Sequence, residues 1–352
     1  MDVSIVRASP LRRRWWPAVC LQSIALAGAG TAVAASPAAS ADAVRTSIPS
    51  EAVAEYNSLF ACPTTLDHIG RVVAPVMIDG RGPFRFVVDT GASRSSVGQS
   101  LVNALGLQMS SVPTLQLEGI TGSAAVSAVT IDRLRAGSLS IQHMPMPVLW
   151  APVMAGADGI LGMAGLTDQT LLVDFQHNRV ILGKDLDPDV RFHYSRVHTQ
   201  VVDGGLMTAV AYVGDVRVLA VVDTGSERTL GNPALQKALG LRQDSGNLEP
   251  VTAVYGATRQ VEPGRIAHSP VIAIGPLRVE GVDLVYGDFH IFKLWKLDRM
   301  PAIILGMDVL GTVNALGFDF RRHDLYVSSA RNTGDPFSDI HSYTSGAPIV
   351  SH

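Results

Sequence analysis

The feature of this sequence that most constrains its fold is an internal repeat. The letters Val-Val-Asp-Thr-Gly occur at residues 87–91 and again at 221–225, an offset of 223 − 89 = 134. Ala-Leu-Gly-Leu follows at 104–107 and at 238–241 with the same offset, 241 − 107 = 134. A repeat of this kind indicates two similar folding units in one chain, and it decides the architecture before any local pattern does.

The repeat continues further along, but its spacing grows. Gly-Ile-Leu-Gly-Met at 159–163 is matched by Ile-Ile-Leu-Gly-Met at 303–307, an offset of 144, and 173–175 by 318–320, an offset of 145. The second copy therefore carries about ten additional residues, which we place at 288–297. A segment that covers the core is the favoured interpretation; contact with the cleft, a membrane or a partner through its aromatic residues is the alternative.

Each copy is predicted to be mainly β. Runs of β-branched and aromatic residues flank short turn sequences, which is the pattern of a β-hairpin; the strands are expected at 72–78 and 83–88 in the first copy, and at 207–213 and 216–222 in the second. A short helix is predicted after each Asp-Thr-Gly, at 99–105 and 233–239, ending at Gly106 and Gly240.

The first residues differ from the rest of the chain. Arg7 and three consecutive arginines at 12–14 precede an apolar stretch at 15–35 that ends in small residues. This order is typical of a signal peptide, predicted at 1–34, and so of an exported protein, periplasmic or secreted. An uncleaved membrane anchor is the alternative, and it is the only case in which membrane contact is expected.

These observations divide the chain into five parts. After the signal peptide we predict a leader or linker, two lobes and a flexible tail: 35–65, 66–190, 198–330 and 331–352. With 352 residues and 47% hydrophobic content, the chain is long and apolar enough for two cored units.

Charge and cysteine content exclude several classes of function. Without residues 1–34 the chain has 28 − 4 = 24 basic and 31 − 1 = 30 acidic residues, a net charge of −6, so no nucleic-acid partner is expected. Of two cysteines, Cys20 lies in the predicted signal peptide, which leaves Cys62 without a disulfide partner. The sequence has no His-Glu-x-x-His or Cys-His metal motif and no Gly-x-Ser-x-Gly motif. We expect neither a metal nor another cofactor.

The repeated Asp-Thr-Gly segments carry the chemistry. A strand that ends in this tripeptide places a carboxylate on a tight loop, where glycine lets backbone amides approach closely. Two such loops around an approximate twofold axis would bring Asp89 and Asp223 face to face. Adjacent carboxylates cannot both ionise readily, so they share one proton over a broad pH range. The pair then holds an acid and a base together, as amide hydrolysis by water requires.

The two Asp-Thr-Gly loops and the two Ile-Leu-Gly segments, in this order across 70–328, resemble the retropepsin-like and pepsin-like aspartic proteases. The resemblance implies a mainly β, two-lobed acid-protease fold made of two related retropepsin-like half-domains. It implies a catalytic aspartate pair, threonines that bond to the opposite loop, and glycines whose amides face the carboxylates: Asp89 and Asp223, Thr90 and Thr224, Gly91 and Gly225.

The implied activity is that of an aspartic endopeptidase acting on a polypeptide. Because both halves lie in one chain, a monomer would contain the complete site, whereas a retroviral enzyme must dimerise. A peptide-binding module that kept the fold but lost the activity is the alternative from another class. Hydrolysis of a glycosidic bond by two carboxylates is disfavoured, because aromatic residues make up only 6% of the chain.

These families also cover the substrate with a glycine-containing β-hairpin, the flap. Candidate flaps lie at 118–123 and 254–259 and carry Gly119, Gly122, Tyr255 and Gly256. Tyr255 could replace the flap tyrosine of pepsins; an ordinary tyrosine on a surface hairpin is the other interpretation.

The two loops differ in the residue after the glycine, which is Ala92 in the first and Ser226 in the second. We expect the Ser226 hydroxyl to donate to Asp223 and stabilise its ionised form. On this hypothesis Asp223 is the base and Asp89 holds the proton.

Overall fold

The computed structural model describes residues 5–7, 61–63, 65–66, 70–109, 114–150, 154–164, 166, 169–202, 206–241 and 252–328. Most of the predicted signal peptide and leader, and the predicted tail at 331–352, lie outside these residues. Within the part of the chain that the structure describes, no helix is both long and apolar enough to cross a membrane.

The first half of the chain is built mainly of strands, as its β-branched runs predict. Its strands are β1 (Ile5–Arg7), β2 (Ala61–Pro63), β3 (Thr65–Leu66), β4 (Val72–Ile78), β5 (Arg81–Val88), β6 (Ser96–Gly98), β7 (Leu115–Gly119), β8 (Gly122–Val126), β9 (Ala128–Ala136), β10 (Leu139–Leu149), β11 (Gly159–Leu161), β12 (Thr170–Asp174) and β13 (Arg179–Gly183). Its helices are Gln99–Leu105 and Pro188–His193.

The second half is also built mainly of strands. Its strands are β14 (Ser195–Val202), β15 (Leu206–Val213), β16 (Val216–Val222), β17 (Leu230–Gly231), β18 (Thr252–Tyr255), β19 (Val261–His268), β20 (Ile272–Ile274), β21 (Leu277–Glu280), β22 (Asp283–Tyr286), β23 (Ala302–Leu305), β24 (Ala315–Asp319) and β25 (Asp324–Ser328). Its helices are Pro233–Ala238, His290–Leu294 and Met307–Leu310.

Each half places a β-hairpin in front of its aspartate, as the turn sequences predict. β4 and β5 are joined by Asp79 and Gly80, whose φ angles of 48° and 77° are the left-handed values of a two-residue hairpin turn. β15 and β16 are joined by Gly214 and Asp215. Since β5 ends at Val88 and β16 ends at Val222, the second strand of each hairpin leads directly into an Asp-Thr-Gly loop.

The central sheets of the two halves have the same topology. In the first half the strand order is β3-β4-β5-β11-β6-β10-β9, and β4 also pairs with β9. Its part β4-β5-β11-β6-β10-β9 corresponds to β15-β16-β23-β17-β22-β19 in the second half. β11 runs parallel to β5 and antiparallel to β6, and β23 has the same relation to β16 and β17. The mainly β architecture of two related halves is therefore confirmed.

A third set of strands joins the halves. Its order is β2-β13-β12-β24-β25-β14, so three strands come from each half, and β12 pairs with β24 at the boundary. β2 lies within the segment predicted as a leader, and β3 crosses the predicted boundary between the leader and the first lobe. β1, within the predicted signal peptide, pairs in parallel with β21. Cys62 lies in β2, opposite Val180.

The additional residues of the second copy form a short helix against the core. Phe289 and Phe292 are buried, with their ring centroids 6.4 Å apart, and Trp295 packs against the same apolar cluster. This arrangement agrees with the interpretation of 288–297 as a segment that covers the core.

Candidate active site

The two aspartates occupy equivalent positions at the ends of equivalent strands. The Asp89 amide donates to the Leu161 carbonyl at 3.0 Å, and the Asp223 amide donates to the Leu305 carbonyl at 3.1 Å. Each Ile-Leu-Gly segment therefore holds the backbone of the Asp-Thr-Gly loop in its own half.

A hydroxyl group in each loop holds the glycine of the same segment. The Gly162 amide donates to Ser95 Oγ at 3.1 Å, and the Gly306 amide donates to Thr229 Oγ1 at 3.0 Å. Sequence reasoning missed Ser95 and Thr229, although their offset, 229 − 95 = 134, is that of the aspartates. A Cβ on Gly306 would lie 2.5 Å from the Arg228 carbonyl carbon, so this close packing requires glycine.

The threonines bind the two loops to each other. Thr90 Oγ1 donates to the Val222 carbonyl at 2.7 Å and accepts from the Thr224 amide at 3.1 Å. Thr224 Oγ1 donates to the Val88 carbonyl at 2.7 Å and accepts from the Thr90 amide at 3.1 Å. Both side chains are buried. The structure thus places both threonines where the resemblance expects them, in a symmetrical set of four hydrogen bonds.

The glycines bring the carboxylates together. The Gly91 amide donates to Asp89 Oδ1 at 2.8 Å, and the Gly225 amide donates to Asp223 Oδ1 at 2.9 Å. A Cβ on Gly91 would clash with the Asp223 carboxylate, and a Cβ on Gly225 would clash with the Asp89 carboxylate. Each carboxylate therefore lies directly against the opposite loop, and only glycine leaves room for this approach.

Burial and proximity raise the pKa values of both carboxyl groups. For Asp223, desolvation is the largest cause and the charge of Asp89 adds to it, so its pKa lies well above its usual range. For Asp89, desolvation also raises the pKa, but the Arg71 cation opposes this effect. Both pKa values are thus raised, and the Arg71 cation is the charge that distinguishes the surroundings of Asp89 from those of Asp223.

The expected hydrogen bond from Ser226 to Asp223 is wrong. The Ser226 hydroxyl donates to the Arg228 carbonyl at 2.8 Å, within the same loop. Because a hydroxyl group has one proton to donate, it cannot also donate to the carboxylate. The reason for assigning Asp223 as the ionised base is thereby lost.

The two candidate flaps are hairpins whose turns meet. β7 and β8 pair with each other as a separate two-stranded sheet, with Gly119 opposite Gly122. In the second hairpin, β18 pairs with β19. The buried hydroxyls of Thr121 and Thr258 lie 3.1 Å apart, which joins the two turns.

Three of the four candidate flap residues lie at this junction. A Cβ on Gly256 would lie 2.8 Å from Thr121 Oγ1, one on Gly119 would lie 3.5 Å from Thr258, and one on Gly122 would clash with the Gln260 side chain. Tyr255 is 61% exposed, which agrees with its interpretation as a tyrosine on a surface hairpin.

The first hairpin also contacts the additional helix of the second half. His290 Nε2 and Glu118 Oε2 lie 2.9 Å apart, and both side chains are about one-third exposed, at 34% each. Gln116 donates to the other oxygen of Glu118 at 3.3 Å. The segment that covers the core thus also holds one hairpin.

Two interlocked Asp-Thr-Gly loops, each supported by an Ile-Leu-Gly strand, define a two-lobed acid-protease fold. An aspartyl protease family model matches residues 74–164 and 209–309, and each match contains one loop and one Ile-Leu-Gly segment. Because these ranges cover more than half of the chain, the protein belongs to this aspartyl protease family, and the expected retropepsin-like fold of two repeats is confirmed. A search of curated proteins finds no match to this chain.

Proposed function

We propose that this protein is an aspartic endopeptidase that hydrolyses peptide bonds with a water molecule activated by Asp89 and Asp223. The observation that carries the proposal is the contact of each carboxylate with the glycine of the opposite loop. This contact brings two acidic groups into one partly buried site and makes them share a proton. Membership of the aspartyl protease family supports the same chemistry.

The charges around Asp89 and Asp223 indicate which carboxyl group acts as the base and which as the acid. Ionised Asp89 takes a proton from the water, whose oxygen attacks the carbonyl carbon of the peptide bond. Protonated Asp223 donates to the carbonyl oxygen, which stabilises the tetrahedral intermediate. Asp89 then transfers the proton that it took from water to the amide nitrogen, and the C–N bond breaks. As the carboxyl product forms, Asp223 takes its proton back from the hydroxyl of the intermediate, so the pair returns to its singly protonated state.

The hairpins support a polypeptide as the substrate. Their turns meet through Thr121 and Thr258, so a substrate that passes between them and the catalytic loops requires them to separate and close again. We further propose, from the arginines and apolar residues of 1–34, that the protein is exported to the periplasm or secreted.

The activity is tested by incubating the purified protein with casein or a peptide library at about pH 3 to pH 8. The wild-type protein is expected to cleave internal bonds, and Asp89→Asn and Asp223→Asn to reduce cleavage at least about 1,000-fold. Asp283→Asn serves as the control, because this carboxylate is exposed and outside the loops. Peptide binding without cleavage, unaffected by either catalytic variant, would instead establish an inactive binding module.

Export requires a separate measurement. N-terminal sequencing of the protein recovered from the periplasm or medium is expected to begin near residue 35. An intact N-terminus in a membrane fraction would support the anchor.

A further inference from the structure

We propose that Arg71 is a positioning residue of the catalytic pair, whose buried guanidinium keeps Asp89 ionised and so leaves the shared proton on Asp223. The effect of Arg71 on catalysis rests on the proposed function. Its effect on the protonation of Asp89 does not, and it can be measured even if the protein has no proteolytic activity.

The register of the β4–β5 hairpin, extended beyond its last pair, would set Arg71 opposite Asp89. Val73 pairs with Val87 in the antiparallel β4–β5 ladder, and continuing this register by two residues sets Arg71 against Asp89. Directly opposed residues of an antiparallel pair have their side chains on the same face. The cation and the carboxylate therefore face the same side of the sheet.

An irregularity in this hairpin makes the placement possible. Val76 pairs with Phe84, but next to the turn Ile78 pairs with Arg81, so the register shifts by one residue between them. Without the shift, Gly70 rather than Arg71 would stand opposite Asp89, since 78 + 81 = 159 and 159 − 89 = 70. A slip of one residue turns every side chain to the other face.

Burial makes the charge of Arg71 effective. The residue is only 5% exposed, and one of its guanidinium nitrogens donates to the Met154 carbonyl at 3.3 Å. Charge interactions in such surroundings are screened much less than at the surface. Desolvation raises the Asp89 pKa most, and the charge of Arg71 is the largest of the effects that lower it, ahead of a hydrogen bond with Asp223.

The second half has no equivalent cation opposite its aspartate. Thr208 pairs with Val221 in β15–β16, so the same extension of the register sets Leu206 against Asp223. Leu206 is buried and apolar, and the main charge that acts on Asp223 is that of Asp89, which raises the Asp223 pKa. The two aspartates thus differ in one nearby charge, and this difference assigns the proton.

The decisive experiment follows the carboxyl groups by carbon-13 NMR as the pH is changed. In Asp223→Asn, Asp89 titrates without its partner. Adding Arg71→Gln, which keeps a hydrogen-bond donor but removes the charge, is expected to raise the Asp89 midpoint by about one pH unit, a tenfold change in proton affinity. Adding Arg71→Lys instead, which keeps the charge, is expected to restore the lower midpoint.

An Asp89 midpoint that does not change with Arg71→Gln would overturn the proposal and leave Arg71 a structural residue that holds the Met154 carbonyl. If the Arg71 variants do not fold, comparison of Asp223→Asn with Asp89→Asn decides instead. The proposal requires Asp89 to ionise at lower pH than Asp223 in these variants, and the reverse order contradicts it.

Activity provides a second measurement. In Arg71→Gln the acid limb of kcat/KM is expected to move to higher pH by about one unit, while Arg71→Lys keeps the wild-type limb. A wild-type protein without proteolytic activity would refute the proposed function alone, because the NMR titration still decides the role of Arg71.

Discussion

The hydroxyls of Thr90 and Thr224 join the two halves at the catalytic loops. Each hydroxyl donates to a carbonyl and accepts from an amide of the opposite loop, and all four groups are away from solvent. Replacing one threonine therefore removes two hydrogen bonds and leaves a buried amide and a buried carbonyl without those partners.

Thr90→Val tests this link, because valine has the shape of threonine without the hydroxyl. We expect it to lower the free energy of unfolding by about 3 kcal/mol, the cost of leaving buried polar groups unpaired. Thr90→Ser keeps the hydroxyl but removes a methyl group. Beyond the loss that the missing methyl causes, we expect it to lower the free energy of unfolding by less than about 1 kcal/mol. Urea denaturation measures both, and equal losses would contradict the assigned role of the hydroxyl.

The second prediction at the residue scale concerns stability and pH. Folding raises the pKa of Asp223, so the folded state holds a proton that the unfolded state releases. Stability is then fully present below the unfolded pKa and falls as pH rises through the interval up to the folded pKa. Asp223→Asn removes the ionisable group, so the variant does not lose this stability as the pH rises. We therefore expect its Tm to exceed that of the wild type by at least about 2 °C near neutral pH.

Thermal unfolding at several pH values checks this expectation. The difference in Tm between Asp223→Asn and the wild type should shrink as the pH falls towards about 3, where the carboxyl group is protonated in both states. A difference that stays constant over this range would show that the variant acts through packing rather than through the charge.

At the scale of elements, the position of the β7–β8 hairpin depends on few contacts. β7 and β8 form their own two-stranded sheet, and their side-chain links to the second half include Glu118 with His290 and Thr121 with Thr258. Two-stranded hairpins are marginally stable alone. The helix at His290–Leu294 therefore helps to determine where the β7–β8 hairpin lies.

His290→Ala is expected to raise KM about threefold with little change in kcat, because it weakens closure of the hairpin over the substrate by the modest energy of a partly exposed pair. His290→Gln keeps a donor for Glu118 and should stay near the wild-type KM. Steady-state kinetics on one peptide distinguishes the variants. Equal KM values for the alanine variant and the wild type would show that the Glu118 contact does not support closure.

At the scale of the whole molecule, the halves share both a site and a sheet. The strands β12 and β24 pair across the boundary, and the two Asp-Thr-Gly loops are joined by the threonine hydrogen bonds. One chain thus supplies both halves of the arrangement that a retroviral enzyme builds from two chains.

We therefore expect specific activity to be independent of protein concentration. Dilution from about 10 μM to 1 nM, a range in which dimers of ordinary affinity dissociate, should leave turnover per chain unchanged. Sedimentation at the upper concentration should give the mass of one chain. Activity that falls on dilution would show that a second chain contributes to the site.

The sequence by itself determined the repeat, the two hairpins that lead into the aspartates and the turn and helix-end glycines. These features are local or periodic: Asp79-Gly80 specifies a hairpin turn, and Gly106 and Gly240 end their helices with φ of 61° and 70°. The offset of 134 also identified both threonines, because duplicated loops place equivalent side chains in equivalent environments.

Only the tertiary structure shows how the surroundings of the two carboxyl groups differ. The Ser226 hydroxyl could donate to Asp223 or to a carbonyl of its own loop, and its rotamer, not its position in the sequence, selects the Arg228 carbonyl. The position of Arg71 depends on a one-residue register shift between Val76 and Ile78. The turns of the β7–β8 and β18–β19 hairpins meet through Thr121 and Thr258, which are 137 residues apart in the sequence. Such outcomes follow from register, rotamers and long-range packing, which no local pattern encodes.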